Sequence, residues 1–157
     1  MSINQDKFRL YFYGLFTLVS LLILLDFLLP GRKVVDEIIA IQKERQQYYN
    51  AARNFHYSYK VSTTQHEFYI TGDYAQEIAI NEKIEYSVSL IFKEVNTYRL
   101  LRSEESETYS LRFLSGLLIP LLVIVIIGIA FLSKKKMSTL VFVVQVLLIA
   151  DLLFLIA

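Results

Sequence analysis

The sequence predicts an α-helical membrane protein with three transmembrane helices and a small α+β domain, mainly antiparallel β, inserted between the first and second. Three observations predict it. Hydrophobic residues make up 55% of the chain and charged residues 20%, yet 23 of the 31 charged residues fall between Arg32 and Arg112, whereas a soluble domain mixes the two. Outside that window lie three apolar stretches, each near the roughly 20 residues that cross about 30 Å of hydrocarbon. Inside it, apolar and polar positions alternate with a period of two, which marks strands with one buried face.

Residues 1–9 form a short polar amino terminus carrying Lys7 and Arg9. The first span is expected over 10–29. Fourteen of its positions are Leu, Ile, Val or Phe, which favours insertion by roughly 4–8 kcal/mol. Asp26, near one end, costs at most about 3 kcal/mol. The apolar run exceeds the roughly 7–15 residues of a signal-peptide core, and no small-x-small cleavage site follows it, so an uncleaved anchor is expected. Pro30-Gly31 stops the helix.

The domain over 30–110 is read as a helix followed by four or five short strands. Val34, Ile38, Ile41, Tyr48 and Ala52 recur at mostly three- and four-residue spacing and predict a helix over 33–53, with Asp36 and Glu37 in its first turn. From Asn54 the period becomes two. Phe55, Tyr57, Tyr59 and Val61 make one strand, and Glu67–Thr71 a second, closed by Gly72-Asp73. Ile84, Tyr86, Val88 and Leu90 make the clearest strand, after the turn Asn81-Glu82-Lys83, and a further strand is expected over about 93–101. Such a set forms a small sheet or partly closed barrel. Nine of the eleven tyrosines lie between Tyr48 and Tyr109, which fits β-propensity and a small aromatic core.

The second span is expected over 111–132. Pro120 near its middle removes a backbone donor and bends the helix, while Ser115 and Gly116 one turn earlier offer a notch for close packing. After the turn at 133–137, the third span covers 138–157, so spans two and three form an antiparallel hairpin. Lys134, Lys135 and Lys136 in that turn share a side with Lys7 and Arg9. By the positive-inside rule these five are the topology determinants of a multi-pass protein of the plasma or inner membrane. They predict a cytoplasmic amino terminus and turn, with an extracytoplasmic central domain.

Ionisable groups within spans are candidate interaction sites. Asp26 and Asp151 are expected near the outer end of spans one and three, and Arg112 opens span two on that face. This places two carboxylates and a guanidinium at similar depth, as an internal ion pair or a contact to another membrane subunit. Thr17 and Asp26 lie about 180° apart around their helix, so a polar path through one copy is not expected.

Several functions are excluded. The exposed region 31–110 holds ten Lys/Arg against twelve Asp/Glu, a balance of −2, which does not suit nucleic acid. Cysteine is absent, so there is no disulfide, thiolate nucleophile or thiolate metal site. His56, His66 and Glu67 lack a further nitrogen or sulfur ligand. Ser87 and Ser89 lack a neighbouring base, and no glycine-rich phosphate loop exists.

No cofactor, metal or catalytic residue is expected. The expected partners are the lipid bilayer and other membrane subunits or a second copy. These features point to a non-enzymatic accessory or interaction subunit of a cell-membrane complex, with the extracytoplasmic domain as contact module. The alternative is a ligand-binding or sensory protein whose outer domain signals to the spans through the helix over 33–53, and a concave pocket lined by Tyr57, Tyr59, Tyr86 and Tyr98 would mark it.

Overall fold

In a computed structural model, which describes residues 2–47, 55–132 and 138–156, the chain divides into two compact units. One is helical and comprises Met1–Pro30 with Phe113–Ala157. The other is Gly31–Arg112.

The helical unit contains α1 (Ser2–Leu28), α4 (Ile119–Leu132) and α5 (Ser138–Ile156). A π-helical turn over Leu114–Leu118 joins α4 to a short preceding helix, α3 (Ser110–Phe113). Three segments are long and apolar enough to cross a membrane: Lys7–Leu28, Ser110–Leu132 and Thr139–Ile156. The π turn is the local response to Pro120. Proline cannot donate to the carbonyl four residues back, and its ring crowds that carbonyl. The amide of Ile119 instead donates to Leu114 O, five residues back, which widens the helix there.

Buried side chains on the long helices recur at three- and four-residue steps. On α5 they are Val141, Val144, Leu148, Asp151 and Leu155, and on α4 Val123, Ile127 and Ala130. That spacing is the seam of a left-handed helical bundle. The outward positions are apolar as well, with Leu18, Leu25, Phe142 and Leu153 more than half exposed. A helix apolar all round suits lipid on its outer face.

The second unit is a curled antiparallel sheet of five strands in the order β3-β2-β1-β4-β5. Its strands are β1 (Arg32–Gln47), β2 (Phe55–Thr63), β3 (Glu67–Ile70), β4 (Lys83–Val88) and β5 (Val95–Leu100). Four of the five follow the predicted strands.

The fifth, β1, corrects the expected helix over 33–53, whose last residues (48–53) lie outside the described ones. Arg32–Glu37 pair with β4 and Ile38–Gln47 pair with β2, with a bulge between Ile38 and Ala40. Upstream of the bulge, Val34, Asp36 and Ile38 face inward at a period of two. The extra residue then brings Ile41 back to the core, opposite Val61. Inward apolar positions 34, 38 and 41 therefore mimic helical spacing, and the acid at 36 hides the alternation. Val34, Val35, Ile38, Ile39 and Ile41 are β-branched and favour the extended form.

The core gathers Ile38, Val61, Phe68, Ile70, Ile84, Tyr86, Tyr98 and Leu100, all at most 7% exposed. A one-turn helix, α2 (Tyr74–Glu77), adds Tyr74, whose ring meets Tyr98 edge-on at 4.7 Å. Phe68 lies between Tyr86 and Tyr98, with centroids 5.1 and 5.9 Å away.

Tyr57 departs from the expected buried face and is 36% exposed. The reason is topological. Beyond the reach of β4 and β3, the distal parts of β1 and β2 pair with each other, and among the described residues no third strand covers Tyr57. Its ring instead receives the ammonium of Lys43 at 4.0 Å.

Candidate functional site

Asp26 and Asp151 are 2% and 5% exposed, both turned into the helical bundle. Asp151 occupies a seam position of α5 that Val or Leu fills elsewhere on the same face. Asp26 follows Ser20 and Ile23 on α1, both fully buried, and the Ser20 hydroxyl donates to Phe16 O at 2.9 Å within its own helix. A carboxylate on the lipid face is costly, and inward placement gives it protein surroundings instead.

A groove between α1 and α5 is lined by Leu15, Phe16 and Val19 on one helix and Leu148, Ile149 and Leu152 on the other.

Arg112 belongs to α3 and is 4% exposed. Its Nε donates to Oδ1 of Asn96 in β5 at 2.8 Å. Of the expected topology determinants, Lys7 lies in α1 and the Arg9 guanidinium sits 5.8 Å from the Tyr13 ring centroid. Lys134, Lys135 and Lys136 lie outside the described residues.

The outer surface of the bundle carries an apolar groove of about 530 Å³ between α1 and α4. Gly14 and Thr17 on α1 and Ile124, Gly128 and Phe131 on α4 line it. A Cβ added at Gly14 or at Gly128 would meet nothing within 4 Å. Neither glycine is therefore required by packing among the described residues. Gly116 is different: it lies directly against the Phe27 ring, as the notch read from Ser115 and Gly116 requires.

Sequence reasoning missed two polar clusters in the sheet. Asp36 in β1 accepts hydrogen bonds from the Thr64 hydroxyl (2.5 Å), the Glu37 amide (2.8 Å), the Gln65 amide (3.1 Å) and the Tyr86 hydroxyl (3.4 Å). Tyr86 Oη also lies 3.0 Å from His66 Nδ1 and 3.2 Å from Thr63 Oγ1. Burial pushes the Asp36 carboxyl up, but the bonds from Thr64, Glu37, Thr63 and Gln65 together hold it below its ordinary value. Asp36 thus latches the β2–β3 turn to the central strand. Read as a first-turn helical acid, it gave no hint of this role.

In the second cluster Tyr98 Oη accepts the Thr71 amide at 2.9 Å, and the Thr71 hydroxyl donates to Glu107 at 2.6 Å. Tyr86 and Tyr98, named as pocket lining, are each 1% exposed and form part of the core. On the opposite face, Glu85 accepts from Arg99 Nε and Nη2, at 3.1 and 2.9 Å, and pairs with Lys33 at 3.4 Å. Glu67 binds Lys60 and Ser62.

No protein-family model, curated protein or solved structure matches this chain.

Proposed function

We propose that the chain is a non-enzymatic accessory or interaction subunit of a membrane complex. Its helical bundle docks a helix of another subunit, and its sheet domain is the contact module on the extracytoplasmic side. The observation that carries this reading is the α1–α4 groove with Gly14 and Gly128 on adjoining helices. Between helices in lipid no hydrophobic force drives association. Small residues instead allow close backbone approach and dispersion contacts. Two glycines at which an added Cβ would meet nothing among the described residues suit a helix supplied from outside.

The polar chemistry supports the same reading. The acids of the bundle face inward and suit assembly of the three spans. The polar clusters of the sheet fasten turns to strands.

The test is gentle solubilisation from native membranes, followed by mass determination and identification of co-purifying subunits. The wild-type chain is expected to travel with a partner, and Gly128→Leu to travel alone with its spans intact. A wild-type chain that is isolated, folded and stable sinks the proposal.

A further inference from the structure

We infer that the β4–β5 hairpin tip, Leu90-Ile91-Phe92, inserts into the headgroup–acyl boundary of the bilayer that the long helices span. The inference rests on those helices crossing a membrane, as the proposed function assumes.

The tip spans Ser89–Glu94 and is a closed loop. The Ser89 amide donates to Glu94 O at 2.8 Å, and the Glu94 amide returns a bond to Ser89 Oγ at 3.1 Å. Lys93 takes a positive φ of 62°, which turns the chain back into β5. A loop held this firmly has little need of apolar residues at its apex. Leu90 and Ile91 are nevertheless each 53% exposed, and Phe92 is partly exposed. They are consecutive, unlike the scattered apolar residues found on any protein surface.

The register says where the tip points. Arg32, three residues after Leu29, pairs with Val88, the last residue of β4. β1 follows the first apolar helix in the chain, and β4 is antiparallel to β1. The tip therefore extends past Arg32, at the end of the sheet where β1 begins. The other attachment is at the same end, because Arg112 is bonded to Asn96, two residues beyond the tip. Both junctions to the apolar helices and the apolar tip thus share one end of the sheet. A tether of so few residues, at no more than about 3.6 Å each, keeps that end near the interface. Leu, Ile and Phe followed by Lys suit that depth, with the apolar groups in the acyl boundary and the ammonium among headgroups.

The chain contains no tryptophan, so a single introduced one reports alone. Full-length Leu90→Trp, Leu153→Trp and Lys60→Trp would be reconstituted in phosphatidylcholine vesicles, with and without acyl-brominated lipid and with aqueous acrylamide. Leu90→Trp is expected to emit at shorter wavelength than Lys60→Trp, and to be quenched by bromolipid but protected from acrylamide. Leu153→Trp quenched while Leu90→Trp responds only to acrylamide overturns the tip insertion and leaves the spans standing. Leu90→Trp shielded from both quenchers shows a protein covering the tip and also overturns it. Leu153→Trp unquenched by bromolipid removes the spans, and the proposal with them.

Discussion

The Phe27 ring of α1 lies over Gly116 in the π-helical turn so closely that a Cβ on Gly116 would stand 2.3 Å from Phe27 Cδ2. Gly116→Ala is therefore expected to destabilise the bundle by about 1–3 kcal/mol, as overpacking does. Pairing it with Phe27→Leu should restore part of the loss. Unfolding in mixed micelles measures both, and an Ala variant as stable as wild type contradicts the contact.

Gly31 presents the same problem against backbone. A Cβ there would stand 2.3 Å from Val88 O and 2.7 Å from Ser87 Oγ. A carbonyl inside a strand cannot swing aside as a side chain can. Gly31→Ala should cost about 1–3 kcal/mol and raise amide exchange at the end of β4, whereas Gly14→Ala should leave stability unchanged.

Asp36 makes stability depend on pH. Its carboxyl is held below the ordinary value of 3.8, so its contribution is present above the unfolded pKa, about 3.9. It is lost as pH falls through the lower folded value. Asp36→Asn should cost about 1–3 kcal/mol at neutral pH by mismatching its donors, and its acid limb should be flatter. Glu67 and Glu85, also lowered, titrate in both proteins and cancel in the difference. Urea midpoints from pH 7 downward decide it, and parallel curves would remove Asp36 as the source.

The inward-facing acids predict a division of labour. Asp151→Ala should weaken the bundle by about 1–3 kcal/mol, since it removes one member of a buried polar contact. Asp26→Asn and Asp151→Asn should retain the wild-type set of co-purifying subunits. Loss of a partner in either Asn variant would instead place that acid at the partner interface.

The lysines make a prediction about topology. Reporters fused at residues 70 and 135 should fall in opposite compartments, the first extracytoplasmic. The same compartment for both would refute the three-span arrangement.

The strands of this protein were legible where one face is buried without interruption, as along Ile84, Tyr86 and Val88. β1 was not, because a bulge after Ile38 and an acid at 36 turn a two-residue alternation into a three-to-four-residue one. No local rule separates these cases when the pairing partners are unknown. α2 was hidden for a related reason: one helical turn is too short to show a period, and Tyr74 is held there by the Tyr98 ring.

By itself the sequence determined three apolar helices, their ends and the polar domain between them, because length and hydropathy are sums over local residues and need no partner. Tertiary structure alone decided that β1 is the central strand, that Asp26 and Asp151 are buried, and that Asp36 is a latch. Each of those depends on which distant residue arrives opposite, through strand register or the packing of helices, and that is a property of the whole chain.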